Sequence, residues 1–246
     1  MKKIKLLIYV FLAVFTLNSC TDEVEPQDTP FVTFESQSID ITFDQGSSVT
    51  QEVKIYTANI TDQDRTIGVS VVSASTEVDA AAYIVPTTIT IPGGSNVATL
   101  SIDLTDINMS PFATQALVLS LAASADIYTG EDLTINVGLN CPNNGIKLKM
   151  VLGFDDWPED IYWRLVDVNA SAIVIASQAS PGYGAYAGMT GGITIQECVA
   201  SGDYQLQIYD KYSNGGTSYV VTVDGVQVES VAANAYFGST TVDFSI

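Results

Sequence analysis

Residues 98–104 read Ala-Thr-Leu-Ser-Ile-Asp-Leu. Ala98, Leu100, Ile102 and Leu104 fall on one side, with Thr99, Ser101 and Asp103 on the other. Strict period two is the signature of a strand with one face in a core and one in water. Comparable segments recur along the chain. Before residue 140 they are Phe31–Phe34, Ile39–Phe43, Val49–Tyr56, Ile67–Val72, Ile89–Ile91, Leu117–Leu121 and Leu133–Val137. Asp44-Gln45-Gly46 and Pro92-Gly93-Gly94 turn the chain between them. After Asn140-Cys141-Pro142-Asn143-Asn144-Gly145, a boundary cluster, strands are expected at Ile146–Phe154, Tyr162–Val168, Ile173–Ser177, Gly192–Gln196, Tyr204–Tyr209, Tyr219–Val223, Val226–Val231 and Thr240–Ile246. Asp224-Gly225 is the strongest hairpin signal, because both residues accept positive φ. No helix-length amphipathic stretch flanks the boundary. The expected fold is all-β: two tandem β-sandwich domains, 31–140 and 141–246. The strand number and spacing of the first suggest an Ig-like sandwich.

The start of the chain is built differently. Lys2, Lys3 and Lys5 precede an apolar run from Leu6 to Phe15. That run is shorter than the roughly 20 residues of a membrane span, and its order matches an export signal. Leu17-Asn18-Ser19-Cys20 resembles the lipobox of bacterial lipoproteins. The resemblance implies a signal peptide over 1–19 and a lipid on Cys20 as the first mature residue. Thr21 to Pro30 is acidic and proline-bearing, an extended tether over 20–30. Asp22, Glu23 and Glu25 resemble the surface-export signal of some Gram-negative lipoproteins, which implies an outer-membrane anchor facing outside the cell. The alternative is an ordinary solvated linker in the periplasm.

Two further resemblances concern the sandwiches. Tyr83-Ile84-Val85-Pro86, Ile89 to Gly94, and the strand ending Asp103-Leu104-Thr105-Asp106 resemble Calx-beta and related Ig-like modules. Such modules can bind Ca²⁺ through acidic loops. Asp62, Asp64, Glu77 and Asp79 lie in loops here, without a one-to-one match to that family's ligands. The second half resembles a C-terminal β-sandwich module of secreted and surface-displayed bacterial proteins. It is carried by Asp155 to Trp163, Cys198-Val199-Ala200-Ser201-Gly202-Asp203-Tyr204, Asp210 to Gly216, and Phe244. Asn214 stands where that module usually has a second Asp.

Charge and composition narrow the chemistry. Three of the nine basic residues precede Cys20, leaving six cations against 28 carboxylates. Such a surface repels nucleic acid, whose binding depends on Lys and Arg at phosphates. It also keeps an exported protein soluble. There is no histidine, so Ser-His-Asp and Cys-His catalysis are excluded. With Cys20 assigned to the lipid, Cys141 and Cys198 remain. Export makes a disulfide between them chemically possible; the alternative is two buried free thiols.

Two groups of residues are candidates for a site. Asp155, Asp156, Glu159 and Asp160 crowd one loop, and Asp210 and Asn214 lie in another. Ca²⁺ takes six to eight oxygens, which two acidic loops at one end of a sandwich would supply. The competing reading is a turn around which Trp157 and Trp163 pack. A glycosidase carboxylate pair has no further support. Residues 179–192 are rich in Gly and carry Tyr183 and Tyr186. Together with Trp157 and Tyr212 these aromatics offer stiff apolar faces to a sugar or protein ligand, unless the tyrosines fold back on the sheet. Tyr204, Tyr209, Tyr219 and Phe237 are expected in the core or in cross-strand pairs. The resulting expectation is a membrane-anchored, non-catalytic binding or adhesion protein whose partner is polysaccharide or another surface protein. The alternative is an accessory subunit of an outer-membrane uptake or secretion complex.

Overall fold

The computed structural model describes residues 30–122, 127–179 and 181–246. Cys20, the signal segment and the tether through residue 29 lie outside the described residues. The strands of the first half are β1 Phe31–Phe34, β2 Ser38–Asp44, β3 Ser48–Thr57, β4 Arg65–Val71, β5 Tyr83–Ile84, β6 Thr88–Ile91, β7 Val97–Thr105, β8 Gln115–Leu121, β9 Tyr128–Thr129 and β10 Leu133–Asn140. Those of the second are β11 Ile146–Gly153, β12 Ile161–Asp167, β13 Ala172–Ala176, β14 Ile193–Val199, β15 Asp203–Asp210, β16 Ser218–Val223, β17 Val226–Val231 and β18 Ser239–Ser245.

The first sandwich faces a β5-β7-β3-β1-β9 sheet against a β2-β10-β8-β4-β6 sheet. Its core is aliphatic: Ile55, Leu100, Ile102, Leu104, Leu117, Leu119, Leu133 and Ile135 are sealed from water, with Phe34 and Phe43 the aromatic members. Each such Leu or Ile contributes about 2 kcal/mol by burial. The alternation at 98–104 is realised, with Leu100, Ile102 and Leu104 inside and Thr99, Ser101 and Asp103 outside. The two-residue strands β5 and β9 escape sequence reasoning because no period can be read in two residues. Chain direction gives this domain two poles. Phe31 lies beside the end of β3, since Ala58 N–H donates to its carbonyl. β2 and β10 run parallel, pairing Ser38 to Asp44 with Thr134 to Asn140. The chain therefore enters at one pole and leaves at the other.

A 3₁₀ turn at Pro142–Asn144 joins the domains. Cys141 and Cys198 are bonded, with Cα atoms 5.5 Å apart, so the free-thiol alternative is set aside. The bond ties the linker to β14. The Cys198 to Tyr204 stretch is not one strand: Ala200 to Gly202 turn between β14 and β15, and Tyr204 Oη donates back to the Ala200 carbonyl at 2.7 Å.

The second sandwich faces β14-β11-β16-β17 against β13-β12-β15-β18. Its core mixes Leu148, Leu152, Leu165, Leu206 and Ile208 with Trp163, Tyr186, Tyr204, Tyr219 and Tyr236. Asp224 and Gly225 both take positive φ in the β16–β17 turn, and Asp224 Oδ1 accepts from Lys147 N–H at 3.0 Å. This turn lies at the end where β11 begins. The opposite end carries four loops, 154–160, 177–192, 211–217 and 232–238. It is the end of the second sandwich remote from the linker, where β11 ends and not where it begins.

Candidate functional site

Those four loops are stitched into one tip by their backbones. Gly184 N–H donates to the Glu159 carbonyl at 2.8 Å, and Lys211 N–H to the Asp160 carbonyl at 3.0 Å. Asp210 N–H reaches the Gly238 carbonyl at 2.8 Å, and Asn234 N–H the Gly216 carbonyl at 2.9 Å. Gly216 is required here, because a Cβ would sit 2.1 Å from the Tyr236 ring.

Asp210 organises the 211–217 loop. Its carboxylate is buried; Oδ1 accepts from Tyr212 N–H at 3.1 Å and Ser213 N–H at 3.2 Å, and Oδ2 from Gly215 N–H at 3.2 Å. Asp155 Oδ1 accepts from Trp157 N–H at 2.9 Å. These carboxylates are committed to backbone amides. Asp156 and Asn214 point to solvent. The calcium set expected from the sequence is thus not assembled: among the described residues no group of three or more His, Cys, Asp or Glu is placed to hold a metal ion. Turn building accounts for the acidic residues better. In the first sandwich, Asp64, Glu77 and Asp79 likewise accept from the backbone amides of Gly93, Ala116 and Ala81. Asp160 is different. It is buried, and loss of hydration, with Glu159, Asp210 and Asp155 nearby, raises its carboxyl above the ordinary carboxylate range against the pull of Lys211.

The aromatics divide into two groups. Trp157, Tyr183, Tyr212 and Phe237 stand out from the tip with 56, 41, 63 and 66% of their surfaces exposed. Tyr186 does not. It is 7% exposed, takes a 2.8 Å hydrogen bond from Trp163 Nε1, and packs on Phe154 at 5.0 Å between centroids. Its expected role as an exposed platform is corrected: the buried ring anchors its loop to the core, and burial pushes its phenol up in pKa. Phe237 is the reverse correction, since it lies in the 232–238 loop whose core position is taken by Tyr236.

A second feature adjoins the tip, on the outer face of the β13-β12-β15-β18 sheet. With Ile161, Trp163 and Leu165 inward, β12 turns Tyr162 and Arg164 outward; β15 likewise turns out Gln205, Gln207 and Tyr209. Tyr162, Arg164, Tyr209, Pro181, Gly182 and Tyr183 line a cleft of about 330 Å³. A broader depression of about 820 Å³ continues along the sheet past Val166, Gln205 and Asp243. Arg164 Nε donates to Gln207 Oε1 at 2.5 Å, and Tyr209 Oη to the same oxygen at 2.9 Å. Gln207 Nε2 bonds Gln205 Oε1, and Gln205 Nε2 donates to Asp243 Oδ1 at 2.8 Å. Sequence reasoning did not single out Tyr162, Arg164, Gln205 or Gln207, and placed Tyr209 as a cross-strand pair. It does pair with Tyr162, at 5.7 Å. The signal was the same period two, applied to the polar side of the strands.

No protein-family model matches the chain, and no curated protein does. Solved structures match the chain at low overall similarity. One is a Bacteroides ovatus protein described provisionally as carbohydrate-binding, 11% identical, covering 85% of this chain and 72% of its own, with a TM-score of 0.41. A multidomain B. ovatus protein that includes DUF1735 is 15% identical over 86 and 94% of the two chains, TM-score 0.40. The calcium binding domain CBD12 of CALX1.1 is 7% identical over 72 and 79%, TM-score 0.39. At such scores these likenesses bear on no ligand and no residue.

Proposed function

We propose that the chain is a membrane-anchored, non-catalytic binding protein that presents the tip of its second sandwich to extracellular polysaccharide. The reading is carried by one observation: four exposed aromatics, Trp157, Tyr183, Tyr212 and Phe237, stand on interlocked loops at the end of the second sandwich remote from the linker. Exposed rings held by a rigid scaffold lose little entropy on binding, and their flat faces match the apolar faces of sugar rings. The signal segment, Cys20 and the acidic tether support an outer-membrane anchor facing outside, with the first sandwich as the spacer.

Binding to a panel of cell-surface and dietary polysaccharides tests the reading. The double variant Trp157→Ala, Tyr212→Ala is expected to weaken retention about tenfold, from roughly 0.7 kcal/mol lost per ring. Unchanged retention would remove the tip from the account. No retention of any glycan, with a stoichiometric outer-membrane protein recovered from solubilised membranes, would favour the accessory-subunit role. Cys20→Ser is expected to move the protein into soluble fractions.

A further inference from the structure

The outer-face cleft holds a cation without an anion. Six Lys and Arg follow residue 29 in a chain of 28 carboxylates. Arg164, half-buried in the cleft wall, nevertheless has no carboxylate within ion-pair reach among the described residues. Its Nε is held by Gln207 at 2.5 Å, and its Nη2 reaches Tyr209 Oη at 3.4 Å. Nη1 and the remaining Nη2 hydrogen are uncommitted. That edge of a guanidinium matches the two oxygens of a carboxylate. Tyr162 supplies an independent observation. It is 4% exposed and lines the same cleft, yet its buried hydroxyl has no hydrogen-bond partner. Such a group is costly unless a ligand or water completes it. Tyr209 and Tyr183 line the same cleft, and Lys211 Nζ lies 5.8 Å from the Tyr183 centroid. The Gln207–Gln205–Asp243 ladder holds the guanidinium on its Nε side.

We propose that this cleft receives a carboxylated sugar ring, a hexuronate unit of a polysaccharide, with the carboxylate on the free edge of Arg164 and the ring against Tyr183 and Tyr209. This rests on the glycan reading of the tip and names the class of sugar. The protein's net negative charge opposes an anionic polymer at long range. At physiological ionic strength that field is screened within about 8 Å, and the contact with Arg164 decides.

Retention on immobilised uronate-bearing oligosaccharides, on their methyl esters and on neutral oligosaccharides tests the proposal. The wild-type protein is expected to hold the acids about tenfold tighter than the esters. Arg164→Gln abolishes that preference and leaves ester binding in place. Arg164→Lys, which keeps the charge without the planar fork, restores part of it. Tyr183→Ala lowers acid and ester retention together. Equal retention of acid and ester by the wild type overturns the proposal while leaving the tip reading intact. So does a preference that survives Arg164→Gln, or competition by polyglutamate as strong as by free uronate, which would mark an acidic-peptide site. Failure to retain any sugar overturns both readings.

Discussion

The two sandwiches are built on the same plan and spend their aromatic residues in opposite ways. The first fills its core with Leu, Ile and Val, and the outer face of β3 and β7 carries Thr50, Glu52, Lys54, Thr99, Ser101 and Asp103. Its exposed rings are scattered: Phe31 and Tyr128 on β1 and β9, with half-buried Tyr56 at the end of that face. The second buries Trp163, Tyr186, Tyr204, Tyr219 and Tyr236 and still exposes Trp157, Tyr183, Tyr212 and Phe237. Aliphatic side chains fill space and do little else. Tyrosine and tryptophan bring a polar handle as well: Trp163 Nε1 finds Tyr186 Oη, and Tyr204 Oη the Ala200 carbonyl, while Tyr236 Oη is buried without a partner. Under the function proposed above, the difference fits a structural first domain and a second domain that carries recognition.

The comparison can be broken most sharply at the disulfide. Closing 57 residues contributes about 4 kcal/mol in the chain-entropy account. Cys141→Ser with Cys198→Ser should lower the calorimetric transition of the second sandwich by that amount and leave the first unmoved; a joint shift would mean the domains unfold as one. Asp210→Ala strands three amides at the tip and should cost about 3 kcal/mol, with loss of any glycan retention. Chemical denaturation followed by tryptophan fluorescence measures it, because both tryptophans lie in the second domain. Tyr186→Phe leaves Trp163 Nε1 buried without an acceptor, at about 1–2 kcal/mol. Its counterpart in the first sandwich, Ile102→Val, should cost about 1 kcal/mol and change no binding.

The smallest effect is the most informative in sign. Burial raises the Asp160 carboxyl above its unfolded value. The folded state then binds the proton more tightly, and stability contributed by this group falls as pH rises through the folded pKa. Asp160→Asn should therefore raise the melting temperature at pH 7, with a gain that shrinks as the pH falls into the ordinary carboxylate range. A gain independent of pH, or a loss, would show that the charged form is held by contacts such as Lys211.

Much of the architecture was legible because period two leaves a plain mark. Leu100, Ile102 and Leu104, and the Asp224-Gly225 turn, are places where local chemistry and global fold agree. The acidic loops and Trp157, Tyr183 and Tyr212 were recognised as neighbours in composition, and the structure brings them to one end. Tyr186 and Phe237 were misplaced for a common reason. In a glycine-rich or alanine-rich loop no period tells inside from outside, and the choice falls to tertiary fit: Tyr186 finds Trp163 and Phe154, while Tyr236 occupies the space over Gly216. Arg164 was missed because its meaning lies across strands. Gln207 and Tyr209 are more than forty residues away in sequence and become its neighbours only through the β12–β15 register.

The parallel pairing of β2 with β10 has a mechanical consequence. Tension applied between the entry pole and the tip loads β1 first, through Phe31, and with β1 drawn out pulls β2 by its first residue and β10 by its last, in opposite directions. The seven register positions from Ser38 opposite Thr134 to Asp44 opposite Asn140 then bear the load together, in shear, and their hydrogen bonds must fail at once instead of peeling singly. Beyond Asn140 the Cys141–Cys198 bond divides the same load between β11 and β14. In the surface-anchored arrangement proposed above, a cell that drags on its substrate would be gripping it through a strap sewn along its length.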